Sequence, residues 1–155
     1  MTSKFHWPLD FPSRWTFLPM RLVIGIGFIA HGLAKWTRGP EKFALLLQQV
    51  GVPFPLPIAW LSTLLEVFGG AALVVGALVT LVSVPLIISM VVAIITVQGR
   101  YGFSSVNTIG LAPSGPIFGP PGYEINLLYI AGLLALTLSE PTALSVDSLV
   151  DHRTD

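Results

Sequence analysis

The stretch that decides the fold lies at residues 58–98 and reads IAWLSTLLEVFGGAALVVGALVTLVSVPLIISMVVAIITVQ, with Glu66 as its only charged residue. A helix that crosses a bilayer needs roughly 20 mainly apolar residues, and this run has about twice that length. We therefore predict two membrane helices that fold back on each other. The reversal is expected near residues 76–85, where Gly, Thr, Ser and Pro cluster and where Pro85 can occupy the first turn of the second helix.

Two further segments have the composition of membrane helices. Residues 18–36 are apolar except for three ionisable side chains, and residues 123–139 carry only one. Backbone polar groups in lipid must find partners within their own segment, so each run is expected to be helical. The sequence thus predicts four transmembrane helices, at about 18–36, 57–77, 81–98 and 122–139.

The composition of the whole chain supports the same class of protein. Of its 155 residues, 53% are hydrophobic and only 10% are charged, whereas soluble domains carry about 25% charged residues. The mean hydropathy is +0.78. Polar surface is too scarce to cover a water-soluble globule. We predict an all-α integral membrane four-helix bundle, surrounded by the lipid bilayer, with residues 1–155 as a single membrane domain.

Composition also excludes several kinds of function. The chain has no cysteine, so it can hold no iron–sulfur cluster through cysteine and perform no thiol–disulfide chemistry. Of its three histidines only His31 falls within a predicted helix, which argues against a haem ligated by two histidines. No metal site is predicted. The formal net charge is zero and there is no basic run, so the sequence lacks the electrostatic footprint of a nucleic-acid-binding protein.

The segments outside the four helices carry three expectations. Apolar residues spaced i, i+3, i+4, i+7 predict a short helix over residues 41–50, either lying in the membrane interface or packed on the bundle. Residues 99–121 are rich in Gly, Ser and Pro but keep aromatic side chains. This long loop is expected to be ordered and to cap the same end of the bundle, with Phe103 or Phe118 buried. The segment after residue 141 is expected to be solvated.

Alternating helix direction converts position in the sequence into depth in the membrane. Glu66 lies about eight residues, or ~12 Å, into the second helix from the end where the first helix places His31 and Lys35. The end of the third helix and the start of the fourth lie at that same end. The polar side chains that gather there are the candidate site residues: Glu66, His31, Lys35, Tyr123, Glu124 and Arg100.

Ionisable groups inside a bilayer are costly, so each is a candidate functional residue unless a simpler role explains it. Arg21 lies at the opposite end and is expected to extend to the lipid headgroups. Glu124 could serve only to complement the helix dipole, and His31 could bond a backbone carbonyl. No such simpler role is available for Glu66. It must be protonated, face a cavity or pair with a cation such as Lys35.

Ordered short motifs give the chain a resemblance to a known family. The run RLVIGIGFIAHGLAK at residues 21–35 is similar to the first-helix signature of DoxX-type membrane proteins. Further matching elements follow in the family's order: Phe43 in a short amphipathic segment, GVP at 51–53, LEVFGG at 65–70, YEINLLY at 123–129 and LSVD at 144–147. The resemblance covers about residues 17–148. The chain departs from it where SEPT at 139–142 replaces the Gly-rich turn that ends the family's fourth helix.

The resemblance implies a role at the quinone pool, since the family's name derives from archaeal quinol oxidase and thiosulfate:quinone oxidoreductase preparations. It implies a membrane subunit of a respiratory or sulfur-type oxidoreductase system, with other membrane or periplasmic subunits as partners. It also implies the prokaryotic cytoplasmic membrane, with both termini in the cytoplasm. A bound quinone is the expected cofactor. The residues expected to relay protons are Glu66, His31 and Lys35, and those expected to bind the headgroup are Glu124, Tyr123 and Arg100.

Two other functions stay open from the sequence. A non-catalytic anchor or assembly subunit of a larger membrane complex fits the small size, the abundant glycines and the unusual loop. The third is a transporter of protons or small solutes through the Glu66 site, although no inverted repeat is visible. Lysine and arginine divide equally between the two sides of the predicted bundle, so charge does not decide the orientation.

Overall fold

Helices make up most of the chain over residues 13–151, the range that the computed structural model describes. The helices are α1 Ser13–Thr16, α2 Leu18–Arg38, α3 Pro40–Gln49, α4 Pro55–Val75, α5 Val79–Ala93, α6 Glu124–Leu138 and α7 Val146–Asp151. A π turn at Ile94–Gln98 and a 3₁₀ turn at Gly99–Tyr101 prolong α5. Two strands, β1 Thr108–Ala112 and β2 Gly115–Phe118, lie between α5 and α6.

In the part of the chain that the structure describes, three helices are long and apolar enough to cross a membrane: Arg14–Arg38, Pro55–Val75 and Val79–Tyr101. Helix α6 is also apolar but has only 15 residues. It spans about 22 Å, less than the ~30 Å of a hydrocarbon core. These helices confirm the predicted all-α integral membrane class, to which the two short strands are a minor addition.

Helix α6 nevertheless connects the two ends of the bundle. At its start, the backbone N–H of Glu124 donates to the carbonyl of Phe103, close to the end of α5. Beyond its end, the hydroxyl of Thr142 accepts a hydrogen bond from Arg21, which lies in the first turn of α2. The four long helices α2, α4, α5 and α6 therefore alternate in direction.

Helix α2 packs against α4 with almost no space between their backbones. A methyl group on Gly70 would lie 2.7 Å from the carbonyl oxygen of Gly25, and one on Gly32 would lie 2.9 Å from the backbone nitrogen of Val67. Small residues permit such close approach of membrane helices. Because the two helices are so close, the face of α2 that carries Lys35 lies directly beside the face of α4 that carries Ser62 and Glu66.

The turn between α4 and α5 differs from the prediction in the place of its proline. Gly76 ends α4 with a left-handed backbone (φ 68°), and α5 begins at Val79, so Pro85 lies inside the helix and not in its first turn. The reason is a cap: the carboxylate of Asp147 accepts hydrogen bonds from the N–H groups of Leu78 and Val79 at 2.8 and 3.0 Å. The expectation of a solvated segment after residue 141 is therefore wrong for Thr142, Ser145 and Asp147, which are buried or half-buried. Leu144 and Val146 in the same segment are exposed.

The same segment corrects the expectation for Arg21. This side chain is only 1% exposed and donates to the hydroxyl of Thr142 and to the carbonyl of Leu144 (2.8 Å), so it does not extend to the headgroups. The chain after α6 folds over the start of α2 and supplies these acceptors. The N–H of Ala143 also donates to the carbonyl of Arg14 at 2.8 Å. The residues next to both termini thus share one end of the bundle, whereas the termini themselves lie outside the described residues and their cytoplasmic location stays a prediction.

The long connection between α5 and α6 contains an antiparallel β-hairpin. Strands β1 and β2 pair with each other in a two-stranded sheet. Phe103 and Phe118 are 56% and 63% exposed, and the prediction that one of them is buried is wrong. Glu124 fixes the base of the connection, because its carboxylate accepts hydrogen bonds from the backbone N–H and the hydroxyl of Ser105 at 2.9 and 2.6 Å.

The short helix α3 packs on the bundle, the second of the two alternatives. Ala44 and Leu47 are buried against Ala59 of α4 in a small apolar cluster. Gly39 separates α2 from α3 with a positive φ of 91°, which turns the chain sharply back over the end of the bundle. Helix α3 thereby covers the end at which the ionisable residues gather.

Candidate functional site

A cavity of about 760 Å³ lies among α2, α3, α4, α5 and α6. Its volume falls within the ~300–1,000 Å³ typical of small-molecule sites. Most of its walls are apolar, and the cavity is partly open to the outside. The charged, amide and aromatic polar side chains that line it are His31, Lys35, Glu66, Gln98, Asn126 and Tyr129, together with the hydroxyls of Ser62, Ser89 and Thr96.

The polar centre of the cavity is an ion pair between α2 and α4. The ammonium of Lys35 lies 2.6 Å from Oε1 of Glu66 and also donates to the hydroxyl of Ser62 at 3.0 Å. The same ammonium lies 4.5 Å from the centre of the Phe43 ring, which α3 supplies from above. Glu66 is 3% exposed. A carboxylate this deep in an apolar surrounding is stabilised by the cation, and its other oxygen, Oε2, has no hydrogen-bond partner among the described residues.

Local sequence explains why these groups meet. On α2, Phe28, His31 and Lys35 are spaced i, i+3, i+7 and fall on one stripe. On α4, Ser62 and Glu66 are one turn apart, so both face the same side. The close contact of the two helices places the stripe of α2 against that side. Phe28 is 1% exposed and lines the inner wall, whereas His31 is an exposed residue that also lines the cavity.

Tyr129 of α6 contributes an aromatic wall of the cavity. Its ring meets Phe28 edge-on, with centroids 5.0 Å apart, and lies 6.3 Å from the ring of His31. Its hydroxyl rests on Gly27, where an added methyl group would lie 1.9 Å away. One turn earlier on α6, the amide of Asn126 donates to the sulfur of Met90 at 3.6 Å. Because any side chain at position 27 would collide with the Tyr129 hydroxyl, only glycine allows the hydroxyl to occupy its place.

The six site residues predicted from the sequence fall into two groups. His31, Lys35 and Glu66 line the cavity together. The other three lie at the base of the hairpin connection and are not among the lining residues: the Glu124 carboxylate binds Ser105, the Tyr123 ring packs edge-on against Phe103, and the Arg100 guanidinium lies over the Tyr101 ring. In this geometry they order the connection.

Sequence reasoning missed Asn126, Tyr129 and Gln98, which line the cavity. The two residues of α6 carried a usable signal, since polar residues spaced i, i+3 on an otherwise apolar membrane helix mark a face turned towards the interior. Gln98 carried a weaker one, because a residue at the end of a membrane helix can equally reach the headgroups.

The arrangement can hold the polar head of an amphipathic molecule and exchange protons with it. Carboxyl and imidazole groups are general acids and bases in proteins, and Glu66 and His31 line the same cavity. Within residues 13–151, no group of three His, Cys, Asp or Glu side chains is placed to hold a metal ion. The side chains that line the cavity can supply hydrogen bonding, charge stabilisation and proton transfer.

Replacing Gly27 with alanine is expected to lower the melting temperature of the detergent-solubilised protein by several degrees. The new methyl group would collide with the Tyr129 hydroxyl, and overpacking of this kind costs about 1–3 kcal/mol. Adding Tyr129→Phe removes the hydroxyl and should recover at least half of the loss. A thermal-shift series on the single and double variants measures this, and an unchanged melting temperature in Gly27→Ala would contradict the close contact.

Comparison with known proteins agrees with this architecture. A chain of Mycobacterium tuberculosis (strain ATCC 25618 / H37Rv) named "Uncharacterized membrane protein Rv3486" is 28% identical over 145 residues, which cover 86% of this chain and 80% of the relative. No solved structure is significantly similar. The family model named DoxX matches residues 16–99, which is more than half of the chain and includes both partners of the ion pair. The chain therefore belongs to the DoxX family.

Proposed function

We propose that this DoxX-family membrane protein binds a quinone headgroup in the cavity and acts as a membrane subunit of a respiratory or sulfur-type oxidoreductase system. One observation carries the proposal: the Lys35–Glu66 pair, 2.6 Å apart, stands in an otherwise largely apolar cavity of about 760 Å³. An ion pair inside a membrane protein is costly and is found where a substrate, an ion or a proton is handled.

The lining residues fit a quinone in two respects. The headgroup needs a few hydrogen-bonding partners within an apolar cleft, and one oxygen of the Glu66 carboxylate is buried without a partner. The isoprenoid tail needs apolar walls, and α5 supplies them with residues such as Pro85, Ile88 and Val92. Val92 and Ile88 are 42% and 57% exposed, so this wall borders the region where a lipid-soluble molecule would enter.

Each cavity residue has a definite task in this proposal. Glu66 holds or releases a proton next to the headgroup, and Lys35 stabilises its charged form. His31, at the more exposed side, passes protons between the cavity and the outside. Tyr129 positions the headgroup against the wall formed by Phe28. A bound quinone supplies the two-electron chemistry, and since the chain has no cysteine for a cluster, we assign the electron transfer to a partner subunit or to a bound substrate.

A non-catalytic anchor or assembly subunit is the second candidate, and the hairpin favours it. Ile109, Leu111 and Phe118 are 64%, 83% and 63% exposed, and no charged residue occurs between Arg100 and Glu124. An exposed apolar surface of this kind is typical of contact with another protein or with lipid. A subunit could use the hairpin for assembly whether or not its cavity binds a quinone.

The proposal predicts that the purified chain in lipid nanodiscs binds a short-chain quinone, either as decylubiquinone or in its reduced form. Glu66→Leu removes both carboxylate oxygens at similar side-chain size. It should weaken binding of the reduced form, whose hydroxyl can donate to the carboxylate, at least tenfold, because a hydrogen bond to a charged group contributes about 1.5–3 kcal/mol. Glu41→Gln removes an exposed carboxylate of α3 and serves as the matched control with unchanged affinity. Equilibrium titration by isothermal calorimetry gives both affinities.

Two outcomes would decide between the candidate functions. Binding of either form by the isolated chain, lost in Glu66→Leu and kept in Glu41→Gln, supports the quinone site. A chain that binds neither form yet retains other subunits during gentle purification would reject the quinone site and leave the anchor.

A further inference from the structure

Buried polar atoms without a hydrogen-bond partner are rare among the described residues, and they concentrate in the cavity. Three such side-chain atoms occur: Nε of Arg21, Oε2 of Glu66 and Oε1 of Gln98. The last two belong to residues that line the cavity. Leaving a buried polar atom unsatisfied is costly, and native structures keep few of them. Both cavity atoms are oxygens, so each of them lacks a hydrogen-bond donor.

The Lys35 ammonium does not supply the missing donor. Two of its N–H groups are used by Oε1 of Glu66 and by the hydroxyl of Ser62. The charge also lies over the Phe43 ring, 4.5 Å from its centroid. The cation thus lies against Oε1 of Glu66 on the side of α2 and α4, and a carboxylate in such an ion pair can only accept hydrogen bonds.

The remaining polar groups of the cavity do not favour one kind of ligand. The hydroxyl of Tyr129 and the imidazole of His31 can each donate or accept. The Gln98 amide can present its oxygen or its nitrogen to a ligand after a rotation of the side chain. While Glu66 is paired with Lys35 as a carboxylate, its Oε2 is therefore the atom that discriminates, since no rotation converts a carboxylate into a donor.

The two redox forms of a quinone differ in just this property. The oxidised form carries two carbonyl oxygens, which only accept hydrogen bonds, whereas the reduced form carries two hydroxyl groups, which donate. We infer that the cavity selects the reduced form, a quinol, with one hydroxyl donating to Oε2 of Glu66. This inference rests on the proposed function and assigns the redox form of the ligand to that same site.

The inference is tested with the wild-type protein in nanodiscs under anaerobic conditions and three probes that share the same ring and alkyl chain. Decylubiquinol carries two donors, decylubiquinone carries none, and the dimethyl ether of the quinol keeps the ring and the chain but also carries no donor. We expect the quinol to bind at least tenfold more tightly than either of the other two. Equal affinities, or tighter binding of the quinone, would overturn the inference and leave the quinone site itself in place. Failure of all three probes to bind would reject the proposed function and the inference with it.

Variants assign the preference to the named atoms. Glu66→Gln can keep an oxygen towards Lys35 and turn an NH₂ group into the cavity, so the quinol-to-quinone affinity ratio should fall at least tenfold. The uncharged pair Lys35→Met/Glu66→Gln should lower the ratio likewise, which keeps the test valid if Glu66→Gln alone does not fold. Gln98→Met removes an amide that can donate or accept and should leave the ratio unchanged. Glu41→Gln should leave the ratio unchanged. A ratio that stays at the wild-type value in every correctly folded variant would contradict the assignment.

Discussion

Replacing Lys35 with methionine is expected to be among the most damaging changes in the cavity. The Glu66 carboxylate would lose the cation at 2.6 Å while staying 3% exposed. Removing one partner of a buried ion pair costs about 3–5 kcal/mol. Because the Lys35 side chain is 23% exposed and that of Glu66 only 4%, we expect the lower end of that range. The melting temperature in detergent should fall by on the order of 10 °C.

A second substitution separates the loss of the pair from the loss of the lysine itself. In Lys35→Met/Glu66→Gln no charge is left in the cavity, and most of the lost stability should return. Lys42→Met, which removes an exposed lysine of α3, should change stability by less than about 0.5 kcal/mol. If the double variant melts no higher than Lys35→Met, the pair is not the source of the stability.

The membrane helices were predictable because their signals are local. The length of the apolar run at residues 58–98 required two helices, and Gly76 marked the turn between them, although Pro85 lies inside α5 and not in that turn. The alternation of helix direction alone places Lys35 and Glu66 at the same end of the bundle. The structure sets these two residues 2.6 Å apart. The periodicity and the length of the apolar runs thus predict how deep a side chain lies in the membrane and on which helix face, but not which side chain is its partner.

Contacts between distant parts of the sequence were not predictable in this way. Arg21 and Thr142 are separated by 121 positions, and at the sequence level an arginine near a helix end indicates an extension to the headgroups. Asp147 caps α5 from 68 positions away. No local pattern reveals this contact, and the segment after residue 141 was therefore expected to be solvated. Each of these interactions depends on how the segment after α6 returns over the bundle, and no local pattern encodes that return.

The hairpin shows a different limit of sequence reasoning. Strands of five and four residues, broken by glycine and proline, fall below the length at which alternation can be read. The aromatic side chains of the connection indicated order but also suggested burial. Order arises instead from strand pairing and from the bonds between Glu124 and Ser105, which leave Phe103 and Phe118 exposed.

Replacing Arg21 with methionine is expected to destabilise the opposite end of the bundle by about 3 kcal/mol or more. The guanidinium is 1% exposed and donates to the Thr142 hydroxyl and to the carbonyls of Leu144 and Val74, at 2.8 and 3.3 Å for the latter two. Methionine fills part of the volume but leaves these acceptors without a donor, which costs about 1–3 kcal/mol for each one that stays buried. The segment that carries Asp147 should loosen, and with it the cap of α5.

Thermal unfolding and limited proteolysis of the purified protein distinguish this buried role from a headgroup contact. Arg21→Lys keeps the charge but loses the planar fork and should lie between wild type and Arg21→Met in melting temperature. Thr142→Val removes one acceptor and should lie closer to wild type. Arg38→Met, at the exposed end of α2, is the matched control. If Arg21 only reached the headgroups, Arg21→Met would behave like Arg38→Met, with an unchanged cleavage rate after α6. If the guanidinium of Arg21 is buried, Arg21→Met should have a lower melting temperature than Arg38→Met and should be cleaved faster within residues 139–147.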